Sequence, residues 1–273
     1  MSDFIAALPM YDWPEVQSET DAHWAVLREE LLRQGIDAPE RLVRRNADMP
    51  AVPGGIRDAA GAVIASDPAT LPPDELDLHT LWRHPRLLFA QTCWGPMEMG
   101  LSAHVRVVGQ PDYSEFQGGE GEFYSSAVLM RWADFAETQL SEGGTSRHDA
   151  PDGAKPDKAG ASSLPLDLLR GARLAFNSGD SMSGVIALKR DLEAMGGGLH
   201  IFRERIETGG HRASIIAVAD GRADVCAIDC RTWDLARRFE PKVAELRVVG
   251  WTARRKGLPY IAGLKAPVFS LRF

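Results

Sequence analysis

The sequence predicts an α/β fold, and three features of its 273 residues carry that expectation. Short apolar runs of strand length alternate with stretches of about ten residues patterned as helices, the mark of strands joined by helical connections. The apolar runs end repeatedly in clusters of small polar residues, the place where open sheets of this class hold their ligands. The balance of 44% apolar and 25% charged residues is that of a chain able to bury a core.

The first element is the apolar run from Phe4 to Met10, a buried strand ending at "PMYD". A helix follows from Pro14, suited to a first helical position, to Gly35, which stops it; Val16, Thr20, Trp24, Leu27 and Leu31 share one face. Residues 48 to 74, rich in Pro, Gly, Ala and Asp, read as loop with one short strand at Ala62-Val63-Ile64. "DLHTLWRHP" is a short helix, and Leu87 to Ala90 a buried strand with Gln91-Thr92-Cys93 at its end. "HVRVVG" and Ala127 to Met130 are the next strands, joined by the turn-rich "QPDYSEFQGGEGE". Residues 138 to 163 contain almost no large apolar side chain, so burial cannot offset their ordering entropy, and a flexible surface excursion is expected. Thereafter "LPLDLLRG", "SMSGVIALKRDLEAMG", "HRASIIAVADG" and "CRTWDLARRFE" read as helices, and "RLAFN", "HIFRERIETG", "ADVCAID" and "LRVVGWT" as strands of a parallel sheet.

Composition excludes several functions. A net charge of -7, with Arg254-Arg255-Lys256 as the densest basic run, disfavours nucleic acid, whose phosphates need clustered cations. Cys93, Cys226 and Cys230 have no paired spacing and read as buried free thiols; Cys226 and Cys230 with His211 lack a zinc pattern. "GGEG", "PGG" and "GGG" have neither the Walker nor the dinucleotide-binding spacing, so no metal and no cofactor is expected. No apolar run approaches the ~20 residues of a spanning helix, so the chain is not membrane-embedded. The N-terminus lacks a basic start and a continuous apolar core, which predicts a cytoplasmic location for the chain as given, or a periplasmic one if an export signal has been lost.

Strand-end clusters supply the candidate site: Met10-Tyr11-Asp12, Gln91-Thr92-Cys93, Asn177 to Gly184, Thr208 to His211, and Asp229. Ser181 and Ser183 either cap the helix beginning near Gly184 or offer hydroxyls to an anion, with Gly184 allowing close approach. His211 is either a solvated loop residue or a ligand group, and Asp229 either a helix cap or a ligand group. A Ser183, His211 and Asp229 nucleophilic set is disfavoured, because the serine is outside a G-x-S-x-G elbow.

With these residues the chain resembles the phosphate- and phosphonate-type periplasmic substrate-binding proteins of ABC transporters. "AFNSGDSMSGVIAL" is similar to the family's Ser-x-Ser-Gly turn, and "ETGGHRASIIAVADGRADVCAIDCRTW" to its His and V-x-x-G-x-x-D block; "LPMYDWPEV", "FAQTCWGP", "HVRVVGQPDY", "EGEFYSSAVLMR" and "GWT" extend the likeness. The resemblance implies a type II periplasmic-binding-protein fold, two α/β lobes closing over a ligand cleft, with residues 1 to 105 and 229 to 273 in one lobe and 106 to 228 in the other. It implies that Ser181, Ser183 and Gly184 hold anionic oxygens, that Tyr11, Gln91, Thr92, Tyr124 and His211 donate to the ligand, and that Asp229 accepts from a ligand hydroxyl, ammonium or protonated phosphate. Trp13, Trp94 and Trp251 either line the cleft or belong to the core, the commoner place for aromatic side chains. The implied function is non-enzymatic binding of a small anionic ligand, a phosphate, phosphonate or similar oxyanion, with an ABC permease as partner. The alternative is an enzyme on the same fold, a menaquinone-pathway-type lyase using His211 or Asp229 as base. Arg212 follows His211 where phosphonate binders tend to carry Asp.

Overall fold

The computed structural model describes residues 2–133 and 153–271. The chain divides into two compact units, Met1–Pro111 with Leu258–Phe273, and Asp112–Gly257.

Unit 1 begins with β1 (Ile5–Ala7) and, after a 3-10 turn at Pro14–Val16, α1 (Gln17–Arg33). Val16, Trp24, Leu27 and Leu31 are buried on the face read from the sequence, and Gly35, at a φ of 77°, ends the helix by adopting the left-handed conformation. The hairpin β2 (Ile56–Arg57) and β3 (Val63–Ala65) precedes α2 (Leu78–Arg83), which the Asp77 side chain caps by accepting from the Thr80 N–H. Then come β4 (Leu87–Gln91), α3 (Trp94–Glu98) and β5 (Val105–Gly109). β1 and β4 are parallel, and a strand returning from unit 2, Tyr260–Gly263, lies antiparallel between β4 and β5. Successive residues alternate between the two faces of this sheet: Ile5, Ala7 and Ile261 join one core cluster, Ala6, Tyr260 and Ala262 the other.

Unit 2 opens with β6 (Gly119–Glu120) and β7 (Phe123–Tyr124), followed by β8 (Ser126–Arg131). α4 (Leu166–Leu169), β9 (Arg173–Phe176), the π turn Met182–Ile186 running into α5 (Ala187–Ala194), and β10 (Glu204–Glu207) come next. α6 (His211–Ala219), β11 (Val225–Asp229), α7 (Cys230–Phe239), β12 (Leu246–Trp251) and β13 (Arg255–Lys256) complete it. The central sheet has the order β10-β9-β11-β8-β12, with β10, β9 and β11 parallel and β8 antiparallel to both of its neighbours. Every residue of β11 is buried, which explains its unbroken apolar run.

Three expectations are corrected. The sheets are mixed rather than parallel, because an apolar run shows that a strand is buried without showing its direction. The crossings fall at Pro111/Asp112 and Gly257/Leu258, since β11 and β12 both pair with β8 and so hold residues 229 to 257 in unit 2. Of the excursion, 138–152 lies outside the described residues, whereas 153–163 has no regular structure yet is fastened to edge strand β12. The Ala154 N–H donates to the Val248 carbonyl at 2.7 Å and the Ser163 N–H to the Trp251 carbonyl at 2.9 Å. Backbone groups supply part of this pairing, and the Ser163 hydroxyl adds to it by accepting from the Trp251 N–H at 3.1 Å.

Leu129 is fully buried in β8, between β11 and β12. Leu129→Ala is expected to lower stability by about 2–5 kcal/mol, read as a lower urea midpoint at unchanged slope.

Candidate functional site

The parallel strands of unit 2 end at one sheet edge, and a helix starts from each end. After β9, the Ser181 hydroxyl accepts from the Gly184 N–H at 3.0 Å, capping the turn that leads into α5. That turn is wide, with the Val185 and Ile186 N–H groups both reaching the Ser181 carbonyl, at 3.3 and 3.0 Å. After β10, residues 208–210 lead to α6, whose first residue is His211. After β11, Asp229 caps α7, its Oδ1 accepting from the Thr232 N–H at 2.9 Å. First turns of helices carry N–H groups without intrahelical acceptors and the positive end of the helix dipole, so this edge favours negative charge.

The three starts touch through side chains. Ser183 Oγ lies 2.8 Å from His211 Nε2, and that nitrogen is 3.5 Å from Asp229 Oδ2. Ser183 and Asp229 are almost fully buried, while the His211 side chain is 14% exposed. Burial holds the His211 pKa below its ordinary value against the opposing pull of Asp229, so the imidazole is neutral at neutral pH. In a nucleophilic relay the serine and the carboxylate use opposite ring nitrogens. Here both face Nε2, a geometry that orients the ring without activating the serine.

Polar atoms at this edge are left unpaired. Ser126 Oγ, Asn177 Oδ1 and His211 Nδ1 are buried with no hydrogen-bond partner. Ser126 opens β8 directly opposite Asp229 in the antiparallel register, and Asn177 follows the last residue of β9. In unit 1, Gln91 Nε2 and Thr92 Oγ1 share this state where β4 ends. Arg254 Nε completes the set among the described residues. The opposite edge of the unit 2 sheet is saturated. Burial would raise the Asp224 pKa, but Arg173 binds its side chain at 2.7 Å, and with Arg203 holds it down to about 2.

The structure therefore brings Ser183, His211 and Asp229 together, with Ser181 beside them as a cap. Gly184 has a different reason from the one read in the sequence: a Cβ there would lie 1.9 Å from Asn177 Oδ1, so the glycine makes room for that amide. Tyr124 is buried in β7, its ring 5.4 Å from that of Tyr113, and Tyr11 is buried just after β1. Trp251 is core, with no exposed surface and its Nε1 donating to the Ala154 carbonyl. Trp94 packs against the unit 1 core, and Trp13 precedes the turn into α1. Arg212 points to Glu240, with Nε 3.1 Å from Oε2, so its departure from the family pattern makes a half-buried ion pair. Sequence reasoning missed Ser126, whose place beside Asp229 depends on the direction of β8, and did not single out Asn177 within its strand-end cluster.

Comparison with known proteins follows the same geometry. Residues 157–267 match the family model of the ABC transporter phosphonate periplasmic substrate-binding protein. The resemblance read from the sequence is thus found independently over a segment that contains Ser183, His211 and Asp229. No curated protein matches the chain. Among solved structures, PhnD1 of Prochlorococcus marinus in complex with methylphosphonate has a TM-score of 0.57 at 16% identity, covering 96% of this chain and 77% of that one. A binding protein component of an ABC phosphonate transporter of Pseudomonas aeruginosa has a TM-score of 0.55 at 12% identity, covering 97% and 70%. XAC2383 of Xanthomonas citri, bound to chloride ion, has a TM-score of 0.53 at 13% identity, covering 97% and 79%. These likenesses establish the type II periplasmic-binding-protein fold. Among the described residues, no helix is long and apolar enough to cross a membrane.

Two outcomes follow from the geometry. Ser181→Ala removes a cap and is expected to cost about 1 kcal/mol in denaturant unfolding. His211 stays neutral in the fold but takes up a proton in the unfolded chain below about pH 6.5, so its contribution makes stability fall as pH drops through that value. His211→Gln is expected to lose more stability at pH 7 than at pH 5, flattening the profile, while buried His84, shifted in the same direction, leaves a residual slope.

Proposed function

We propose that this protein is a non-enzymatic binding protein for a small oxyanion of the phosphonate or phosphate class, serving as the periplasmic receptor of an ABC importer. The observation that carries the reading is the set of buried, unpaired polar atoms at the unit 2 edge where three helices start. Unpaired buried polar groups cost about 1–3 kcal/mol each, and a fold keeps them where a ligand supplies the partner.

In this reading the Ser183 hydroxyl donates to His211 Nε2 and so keeps the imidazole proton on Nδ1, from which His211, together with the Ser126 hydroxyl, donates to anionic oxygens, and the helix starts add their positive ends. Ser181 and Gly184 hold the shape of the turn. Asp229 accepts a proton-bearing group, which favours a singly protonated oxyanion or one carrying an ammonium. Gln91 and Thr92 carry unpaired chemistry of the same kind in unit 1 and, with Tyr11 and Tyr124, are proposed as further ligand groups. The match of residues 157–267 to the phosphonate-binding family supports the ligand class, and the shared use of Nε2 by Ser183 and Asp229 gives no support to the enzyme alternative.

Calorimetric titration with methylphosphonate and with phosphate tests the reading. At least one is expected to bind saturably without turnover; no heat from either, or from acetate, would contradict it. Ser183→Ala is expected to weaken that binding about tenfold or more while changing stability by less than about 1 kcal/mol. Equal losses in binding and stability would make the serine a packing residue only.

A further inference from the structure

A second depression lies in unit 1, of about 460 Å³, between the β2–β3 hairpin, the end of α2 and the strand Tyr260–Gly263, which is β14. Its lining includes three cations, Arg57, Arg83 and Lys265, and the apolar side chains of Ile56, Ile64 and Leu264. Leu264 is 59% exposed, so the apolar part of the lining is open to solvent.

None of the three cations forms an ion pair among the described residues. Arg57 donates to the carbonyls of Gly61 at 2.8 Å and Gly54 at 3.3 Å, and Arg83 to that of His79 at 3.3 Å, all neutral acceptors. The carboxylate in the same depression, Asp58, has an oxygen accepting from the Ala60 and Ala62 N–H groups, each at 2.9 Å. Arg83 is half-buried, and burial lowers its pKa against a distant contribution from Asp77. On a chain with a net charge of -7, three cations lining one hollow with a single carboxylate, and none of them in an ion pair among the described residues, stand apart from the paired arginines elsewhere, such as Arg44 with Asp12 and Arg255 with Asp191. Like charges gathered at one site repel, and a bound anion relieves that repulsion.

We propose that this depression is a second site, separate from the Ser183–His211 cluster, for a small organic anion with a charged head and a short apolar body. The head lies among Arg57, Arg83 and Lys265, and the body covers Ile64 and Leu264. The proposal does not depend on the function assigned to unit 2.

Hexyl phosphate and hexanoate are the probes, titrated into the full chain and followed by backbone amide NMR with calorimetry. Saturable binding is expected, with shifts at Arg57, His104, Leu264 and Lys265. The double variant Arg83→Gln, Lys265→Gln is expected to weaken binding about tenfold or more, and Arg57→Gln less, while melting temperatures hold. Binding of both probes identifies the head as any anion; binding of one alone assigns the head to phosphate or to carboxylate. The proposal is overturned if neither probe binds, if the shifts are confined to residues around Ser183 and His211, or if both variants bind as the wild type does.

Discussion

Everything in unit 2 turns on one requirement: a polar atom removed from water needs a partner. The sheet meets it at one edge and withholds it at the other. Where β9 and β11 begin, Asp224 is saturated by arginines. Where they end, Ser126, Asn177 and His211 keep atoms without partners beside three helix starts. The difference between the two edges supports the proposal that the second receives polar groups from outside the chain.

The fold and the site became legible to different degrees. Strand and helix positions followed from apolar periodicity, because β9, β11 and α1 owe their patterns to burial, and burial leaves its mark on residue type. Direction and register left no such mark. β8 reads as an apolar run whichever way it points, and its antiparallel pairing with β11 is what sets Ser126 against Asp229. The unit boundary was misplaced for the same reason. The segment 153–163 escaped because its order comes in part from backbone hydrogen bonds to β12, which composition does not record.

Within the site, Ser183, His211 and Asp229 were readable as polar residues closing apolar strands. Their roles were not. Ser181 caps, Gly184 shelters an amide, and Arg212 pairs with Glu240; each is a local device that shapes the edge. The imidazole is held neutral by burial and fixed by two neighbours on a single nitrogen, leaving Nδ1 as the group with nothing to do inside the fold. That arrangement suits recognition, in which a rigid, uncharged donor selects by position.

The most direct test of this account is the nitrogen NMR spectrum of the His211 side chain during titration with methylphosphonate, its signals assigned by their loss in His211→Gln. Saturable movement of the Nδ1 and Nε2 resonances, with the other histidines unmoved, is the predicted result. Binding by calorimetry with both His211 resonances unmoved at saturation would contradict it, placing the ligand elsewhere on the chain.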